Sequence, residues 1–574
     1  MFRKTFVIVV AAAVIGAVAV STLFGAGKKE AAAPAPQFID GRYDPPLTIT
    51  TPMSVHDPDN WPEGDSFEYN AYTRWVEREL GIKFEASWFY PDHDTNVQRL
   101  SLAMAAADMP DLIYAPDAEV AKLARGGALM PLDSVVAEYA SPLTEYIIEI
   151  GQQQVGGTLF LPYTIDGEFY GIPHSPENVW NMDWIRSDIV EELGFELPRT
   201  LDDLEAILEA HHERYPDRAG HVLTESLGGM ETVMHALSAY PKFWIENDAG
   251  ELVYGSIQPA VRDGLEILAR WYRDGWLDPE FVVKDFNKAI LEPVADGRTL
   301  SKRGPWWHIW WPWPDFWAND PDGQIMPYGP LVNARGEVTA VVNSPFYGWG
   351  SALRAGYEYP EALMYLLNEV NDSYHRNDLE IRDIMGQRGY SFKYPVTEIQ
   401  EPLNPDAPEP FLYRYEYEKP GFRFFNDGAS HFNRSIGFFL FALPDPHFRP
   451  GGNYPTIMDA YKANTIDQLS AEHRAEFRNL SDVERRLESH FSQVEILLDI
   501  QDRGAVQYNQ YMGAPTDGMA EHQAYLNRLE EETFVRIIMN EEPITAFDAF
   551  VRQWRNAGGD RITREVNEWY SGIQ

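Results

Sequence analysis

In LSLAMAAADMPDLIYAPDAEVAKLARGGALMPLDSVVAEYA, Leu100 to Ala140, three elements follow one another closely. A helix runs from about Asn96 to Ala107. The polar turn DMPD ends it, DLIYA is a short apolar strand, and DAEVAKLARGG is a second helix closed by glycine. A strand flanked by helices is the unit of an α/β fold.

The same alternation extends outward in both directions. Upstream, LTITTPMSV (Leu47–Val55) alternates as a strand, with Pro52 limiting its regular part. SFEYNAYTRWVEREL follows as a helix that Ser66 can cap, with Tyr72, Trp75, Val76 and Leu80 on one face. GIKFEASWF is a second strand. Downstream, Thr200 and Asp203 form a capping box for TLDDLEAILEAHHERYP, and Pro360 opens the helix PEALMYLLNEV. From Gly389 to Arg449 the chain is rich in Pro, Tyr and Phe, which predicts loops and short strands; from Leu469 on it reads as mostly helical.

Composition limits the possible functions. The chain has 574 residues, enough for two or three domains, and 44% hydrophobic residues, enough for large cores. Lys plus Arg number 47 against 88 Asp plus Glu, a formal net charge of −41. Such a molecule repels phosphate backbones and anionic lipid, so a nucleic-acid partner is not expected. With 12 Lys against 35 Arg, the acidic surface also suits a salty medium. There is no cysteine, which excludes disulfides, thiolate metal sites and thiol nucleophiles. No cofactor or resident metal is expected: His211 and His212 sit at a helix end without an HExxH pattern. DPDNWPEGD and NDPDGQ lack EF-hand spacing and read as turns.

The first residues, MFRKTFVIVVAAAVIGAVAVSTLFGAGKKE, place two basic residues before an apolar run that ends in Gly25, Ala26 and Gly27. This predicts a signal peptide over 1–27, and an uncleaved anchor is the competing reading. A flexible tether is expected over 28–45.

Several segments, taken in order, resemble the extracellular solute-binding proteins of ABC importers, in the family that includes the maltose-binding proteins. Leu100 to Ala140 looks like the first family signature, with its "G-x-L-x-P-L-D" ending. DGEFYGIPHSPENVWNMDWIRSDIVEELGFELPRTLDDLEAIL (Asp166–Leu208) is similar to the crossover segment, and WYRDGWLDPEF (Trp271–Phe281) to a later helix end. FDAFVRQWRNAGGDRITREVNEWY (Phe547–Tyr570) is similar to the C-terminus of long members. Many relatives carry a lipid-anchoring cysteine after the signal, and STLFGAGKKE has none.

The resemblance implies a type II-like periplasmic-binding fold: two α/β lobes, hinge strands and a cleft between them. Lobe 1 is expected over 46–172 and 350–400, and lobe 2 over 173–349 and 401–574. The chain should cross near Tyr170 to Ser175, near Gly348 to Arg354, and a third time near Ile399 to Pro410. The implied function is capture of a carbohydrate, an oligosaccharide rather than a single ring, and its delivery to membrane permease subunits by hinge closure. The binding protein itself is expected to be a monomer in the periplasm or at the outer face of the cytoplasmic membrane. A secreted glycosidase and a binder of non-sugar ligands are the alternatives, although no eightfold strand–helix cycle is visible.

Candidate ligand contacts follow from the chemistry of sugars, whose C–H faces suit aromatic rings and whose hydroxyls suit carboxylates and amides. RGPWWHIWWPWPDFWAND (Arg303–Asp320) packs six of the 17 tryptophans together. Its GPW resembles the family segment that delivers an aromatic platform, which makes Trp306 the platform, with Trp307 and His308 beside it. Trp310 and Trp311 are extra subsites or a plug, and the prolines at 305, 312 and 314 argue against a regular helix there. Loops at strand ends add Asp59, Asn60 and Trp61, then Tyr114 and Asp117. The crossover adds Asn178 and Trp180, and Trp184 beside it can equally be core. Thr224 and Glu225 come from HVLTES, and Tyr347 and Trp349 from the second crossing. Asp59 and Asp117 can also be plain solvated loop acids in so acidic a chain.

Overall fold

The computed structural model describes residues 34–55, 64–173, 181–284, 297–375, 396–402, 413–417 and 453–573. Short internal exceptions fall at 143, 146–147, 150–151, 153–156, 310–311, 334, 338–339, 343–347, 471–473, 475–476, 478–483 and 504. The expected signal peptide lies outside the described residues, as do Asp59, Asn60, Trp61, Asn178, Trp180, Trp310, Trp311 and Tyr347.

The first half of the chain builds its expected strands in parallel. Leu47–Ser54 pairs with Ile82–Tyr90, with a register shift at Pro52 where the ladder loses a donor. The intervening helix spans Ala71–Leu80 and is capped by Asn70, not by Ser66. Asn70 Oδ1 accepts from the Tyr72 and Thr73 amides at 3.0 and 3.2 Å, and the Asn70 amide donates to Thr73 Oγ1 at 2.9 Å. Ser66 instead accepts from the Tyr69 amide and shapes the preceding turn. The box nearest the apolar stripe wins, because Tyr72, Trp75 and Val76 must all reach the core. Gly81 ends the helix at φ 65°, where a side chain would strike the Tyr43 carbonyl at 2.3 Å.

The expected tether is shorter than 28–45. Gln37–Ile39 pairs with Arg42–Asp44, and Tyr43 is buried with its hydroxyl donating to Glu361 at 2.9 Å. Burial of this ring anchors the segment to the first core.

A three-stranded antiparallel sheet places Trp349–Leu353 between Leu112–Pro116 and Ile172–Pro173. Residues far apart in sequence therefore share one core. The apolar residues around these strands draw on 43–172 and on 352–370. A separate body of core draws on 182–331 and 457–566. Its sheet orders Ser301–Pro305, Asn181–Arg186 and Ile325–Tyr328, all antiparallel. The helix Pro259–Arg273 buries Val261, Leu265, Leu268 and Trp271 against it, a stripe at helical spacing opened by proline in the first turn. The chain thus passes from one body to the other between Pro173 and Asn181 and again before Trp349. Of the third expected crossing, only the strand Val396–Pro402 is described, paired with Tyr413–Tyr417.

Near the C-terminus one segment touches both bodies. The strand Val506–Tyr508 pairs in parallel with Ala340–Val342. Asn509 and Gln510 then bond the Trp244 backbone of the second body. Met512 packs against the first core, and Arg125 donates to the Pro515 carbonyl.

The long helix Asp517–Ile538 carries a carboxyl into the second core. Glu530 is 1% exposed, and Tyr254 donates to its Oε2 at 3.2 Å. Burial pushes its carboxyl up to about 7, partly opposed by Lys242 and Ser256 and assisted by Glu531. The folded state therefore holds this proton more tightly than the unfolded chain does. The stability it supports is complete below the unfolded value near 4.5 and is lost as pH rises through 7. Glu530→Gln should remove that loss and stabilise the fold at pH 8 by on the order of 3 kcal/mol. Urea unfolding of both proteins from pH 5 to 8 checks this; parallel pH profiles would refute it.

Candidate functional site

The site begins where the chain passes between the two bodies. Trp349 opens the returning strand and pairs with Pro116, and the Asp117 amide donates to the Gly348 carbonyl at 3.0 Å. Strand alternation then puts Trp349 beside Tyr114: their ring centroids lie 4.9 Å apart at 32°. The ring of His93, first residue of the helix His93–Ala106, also lies 4.2 Å from Trp349. Trp349 is half-buried and His93 exposed, while Tyr114 is buried behind Trp349, so the accessible ledge is made by His93 and Trp349 with Tyr114 as backing. The next residue along, Gly350, is needed because a Cβ there would meet the buried Tyr163 ring at 2.5 Å.

Asp117 sits at the end of this ledge, first residue of the helix Asp117–Arg125. The residue is half-buried, and the surrounding protein partly desolvates its carboxyl. Its Oδ1 accepts from the Ala118 amide at 2.6 Å. Burial raises the carboxyl to about 6, and that single backbone bond only partly opposes the shift. Tyr114 and Asp117, read from the sequence as neighbours in a strand-end loop, are thus brought together with Trp349 from more than 200 residues later. His93 was missed. It follows the second strand, and the signal that marked the other candidates, a loop at a strand end, applies to it equally.

The tryptophan run divides into two. Trp306 and Trp307 begin a short 3-10 turn, Trp306–Ile309, directly after the strand Ser301–Pro305. His308 is fully buried, so its imidazole belongs to the core and not to a ligand surface. Its Nδ1 accepts from the equally buried Lys302 Nζ at 2.9 Å, and Trp313 covers the ammonium group at 4.8 Å. Burial holds both groups well below their ordinary values, with Lys302 as the second cause for His308. The prolines do not prevent a helix: Trp313–Asn319 is helical, with Pro312 as its cap and Pro314 in its first turn, where no amide hydrogen is needed. That helix buries Trp313, Phe316 and Trp317 beside Trp184 in one aromatic core, Trp184 and Trp313 meeting edge to face at 5.5 Å. From Trp313 on, the run is therefore packed core.

The sheet that leads into the Trp306 turn carries a buried ion pair. Arg303 Nη1 donates to Asp183 Oδ2 at 2.8 Å, with only 10% and 6% of the two side chains exposed. Thr232 donates to the other Asp183 oxygen. His235 lies in the same strip, and burial followed by Arg303 keeps it neutral. Glu225 is exposed in a turn whose amide bonds the Lys284 carbonyl, and Thr224 is nearly buried, holding that turn through the Gly228 amide.

NDPDGQ forms an ion pair instead of a described metal cluster. Asp320 of NDPDGQ pairs with Arg186 at 3.0 Å, and among the described residues no group of three metal-ligating side chains occurs. DPDNWPEGD lies largely outside the described residues.

Comparison with known proteins joins these parts. The bacterial extracellular solute-binding protein family matches residues 58–289. Among curated proteins, the fructooligosaccharide ABC transporter substrate-binding protein FusA of Streptococcus pneumoniae serotype 4 is 22% identical over 269 residues. That match covers 43% of this chain and 47% of FusA. Lipoprotein LipO of Bacillus subtilis is 25% identical over 236 residues, covering 39% and 44%. The chain thus spans just under half the length of the curated relatives it matches. Solved structures extend the likeness to the whole fold. Alginate-binding protein AlgQ2, without calcium ion, aligns at TM-score 0.60 and 17% identity over 92% of this chain and 98% of that one. FusA in complex with kestose aligns at 0.61 and 16% over 92% and 100%.

Over residues 58–289 the chain is similar to the bacterial extracellular solute-binding proteins.

The fold is the two-lobed α/β one of these solved structures. Family members are binding proteins. The Trp349 ledge lies on the first lobe at the crossing, and the Trp306 turn lies on the second. Among the described residues no helix is long and apolar enough to cross a membrane.

The raised carboxyl of Asp117 gives the protein a testable pH response. An ionised Asp117 accepts a charge-assisted hydrogen bond, about twice as strong as a neutral one. Affinity for a hydroxyl-bearing ligand should therefore fall roughly fivefold between pH 7.5 and 5, and Asp117→Asn should flatten the profile. Calorimetry across that range is the measurement; an unchanged slope in the variant would remove Asp117 from contact.

Proposed function

We propose that this protein is the substrate-binding component of an ABC importer and captures an oligosaccharide between its lobes. The observation that carries the reading is the ledge of exposed His93 and half-buried Trp349, backed by buried Tyr114, beside the carboxyl of Asp117. Rings offer stacking surface to sugar C–H faces, and the carboxyl accepts from hydroxyls at the rim. FusA, named as a fructooligosaccharide binder, adds support. In this reading the lobes span 46–172 with 350–400, and 173–349 with 401–574. Trp306 and Trp307 close onto the ledge from the second lobe, with Asp59, Asn60, Trp61, Asn178, Trp180, Glu225 and Tyr347 as further contacts.

Closure follows because only the closed form gives the ligand contacts from both lobes. Permease subunits then read the closed shape, and no bond is made or broken. Residues 1–27 act as the export signal, cleaved or kept as an anchor, and the protein works as a monomer outside the cytoplasmic membrane.

Native mass spectrometry for a co-purified ligand, then calorimetry against an oligosaccharide panel, tests this. Stoichiometric binding without release of reducing sugar is expected; turnover would support a glycosidase instead. Ligand should also shrink the radius of gyration in solution scattering, and an unchanged profile would argue against closure. Trp306→Ala should weaken binding by more than about tenfold, 1.4 kcal/mol, with little loss of stability.

A further inference from the structure

The second lobe holds a narrow slot with a polar floor and an apolar wall. It lies at the end of the sheet where the chain arrives from the first lobe. Asn181 opens that strand and pairs with Pro305, the residue before Trp306. Asp183, Thr232, His235 and Arg303 line the polar side. Leu331, Leu497 and Ile500 line the other, the last two from the helix Glu484–Asp502. The free space admits little more than a single water-sized group, so no whole sugar ring enters.

The polar groups of the slot are only partly used. Thr232 and Arg303 Nη1 each bond one oxygen of Asp183. The remaining Arg303 hydrogens have no acceptor among the described residues. His235 is 8% exposed, and its ring nitrogens have no hydrogen-bond partner there either. They are not sealed inside the core, as both ring nitrogens of His211 are. Burial, followed by Arg303, holds the imidazole well below its ordinary value and keeps it neutral. A neutral imidazole presents one N–H and one bare nitrogen, so it calls for a donor as well as an acceptor. Buried groups with such unmet capacity are uncommon in folded proteins.

We propose that the slot receives a hydroxymethyl arm of the bound sugar, with His235 as the contact of the second lobe that selects for it. This rests on the carbohydrate-binding reading above. A hydroxyl answers both demands at once: its lone pairs accept from Arg303, and its proton goes to the bare nitrogen of His235. A hydroxyl attached directly to the ring cannot reach in without bringing the ring along. A hydroxymethyl carries its oxygen one bond further out, and its CH2 lies against Leu497 and Ile500.

Calorimetry of the full chain against cellotriose, xylotriose, maltotriose, mannotriose and kestose tests this. Cellotriose and xylotriose share a linkage and differ in their hydroxymethyl arms. Cellotriose should bind at least about tenfold more tightly than xylotriose, a difference near 1.4 kcal/mol. His235→Phe keeps a ring and removes both nitrogens. It should weaken the tightest binder of the panel at least about tenfold and leave xylotriose nearly unchanged. Asn181→Leu, at a half-buried position of the same slot, is read in the same way if His235→Phe does not fold. Xylotriose bound as tightly as cellotriose, or an equal loss for both in the variant, overturns the slot. So does a tightest binder that His235→Phe leaves unchanged. Each of these results leaves carbohydrate capture intact. Failure of every probe overturns both readings.

Discussion

Arg303→Ala is expected to destabilise the second lobe by about 3–5 kcal/mol, because it strands the Asp183 carboxylate inside the sheet. The strand Ser301–Pro305 runs beside Asn181–Arg186 with Arg303 opposite Asp183, so the pair joins two neighbouring strands. Both side chains are almost fully buried, and Thr232 occupies the remaining carboxylate oxygen. Removing the cation leaves an uncompensated charge whose desolvation is no longer offset. The double variant Asp183→Leu with Arg303→Met should recover most of the loss, since a buried pair replaced by apolar groups of similar volume is often neutral. Urea unfolding of the three proteins measures this directly. A single-variant loss under 1 kcal/mol would show that water reaches Asp183.

Trp349→Ala should lower ligand affinity by about 30-fold, close to 2 kcal/mol, the loss expected when a central aromatic anchor is truncated. Trp349 is the middle ring of the ledge, in contact with His93 and Tyr114 at once. Trp349→Phe keeps a flat face and should lose only about threefold. The ring is half-buried, so the unfolding midpoint should move little in either variant. Calorimetry with the best ligand of the panel separates the cases. An affinity for Trp349→Ala within threefold of the unmodified protein would take the ledge out of the site.

Much of the architecture is legible in the chain because it is local. The strands at Leu47 and Ile82, the Thr200–Asp203 capping box and the helix after Pro360 depend on periodicity and on caps a few residues away. The misreadings share a cause in context beyond that range. Ser66 and Asn70 are both good caps, and the choice was made by which one lets Trp75 reach the core. Pro312 and Pro314 look like helix breakers, and they are harmless because the helix starts between them. His308 follows two tryptophans in sequence, yet the turn from Trp306 to Ile309 directs it inward toward Lys302.

The sequence by itself determined the α/β alternation, the acidic charge, the lack of thiol chemistry and the resemblance to solute-binding proteins. Each rests on composition or on short-range pattern. Only the tertiary structure decided that His93, Tyr114, Asp117 and Trp349 form one ledge, and that the tryptophan run ends in a core plug. The pairing of Trp349 with Pro116 joins residues separated by most of the second lobe, and such a pairing leaves no periodic trace in the chain. It arises because the returning strand fills the place between Leu112–Pro116 and Ile172–Pro173, where both edges would otherwise leave backbone groups unpaired.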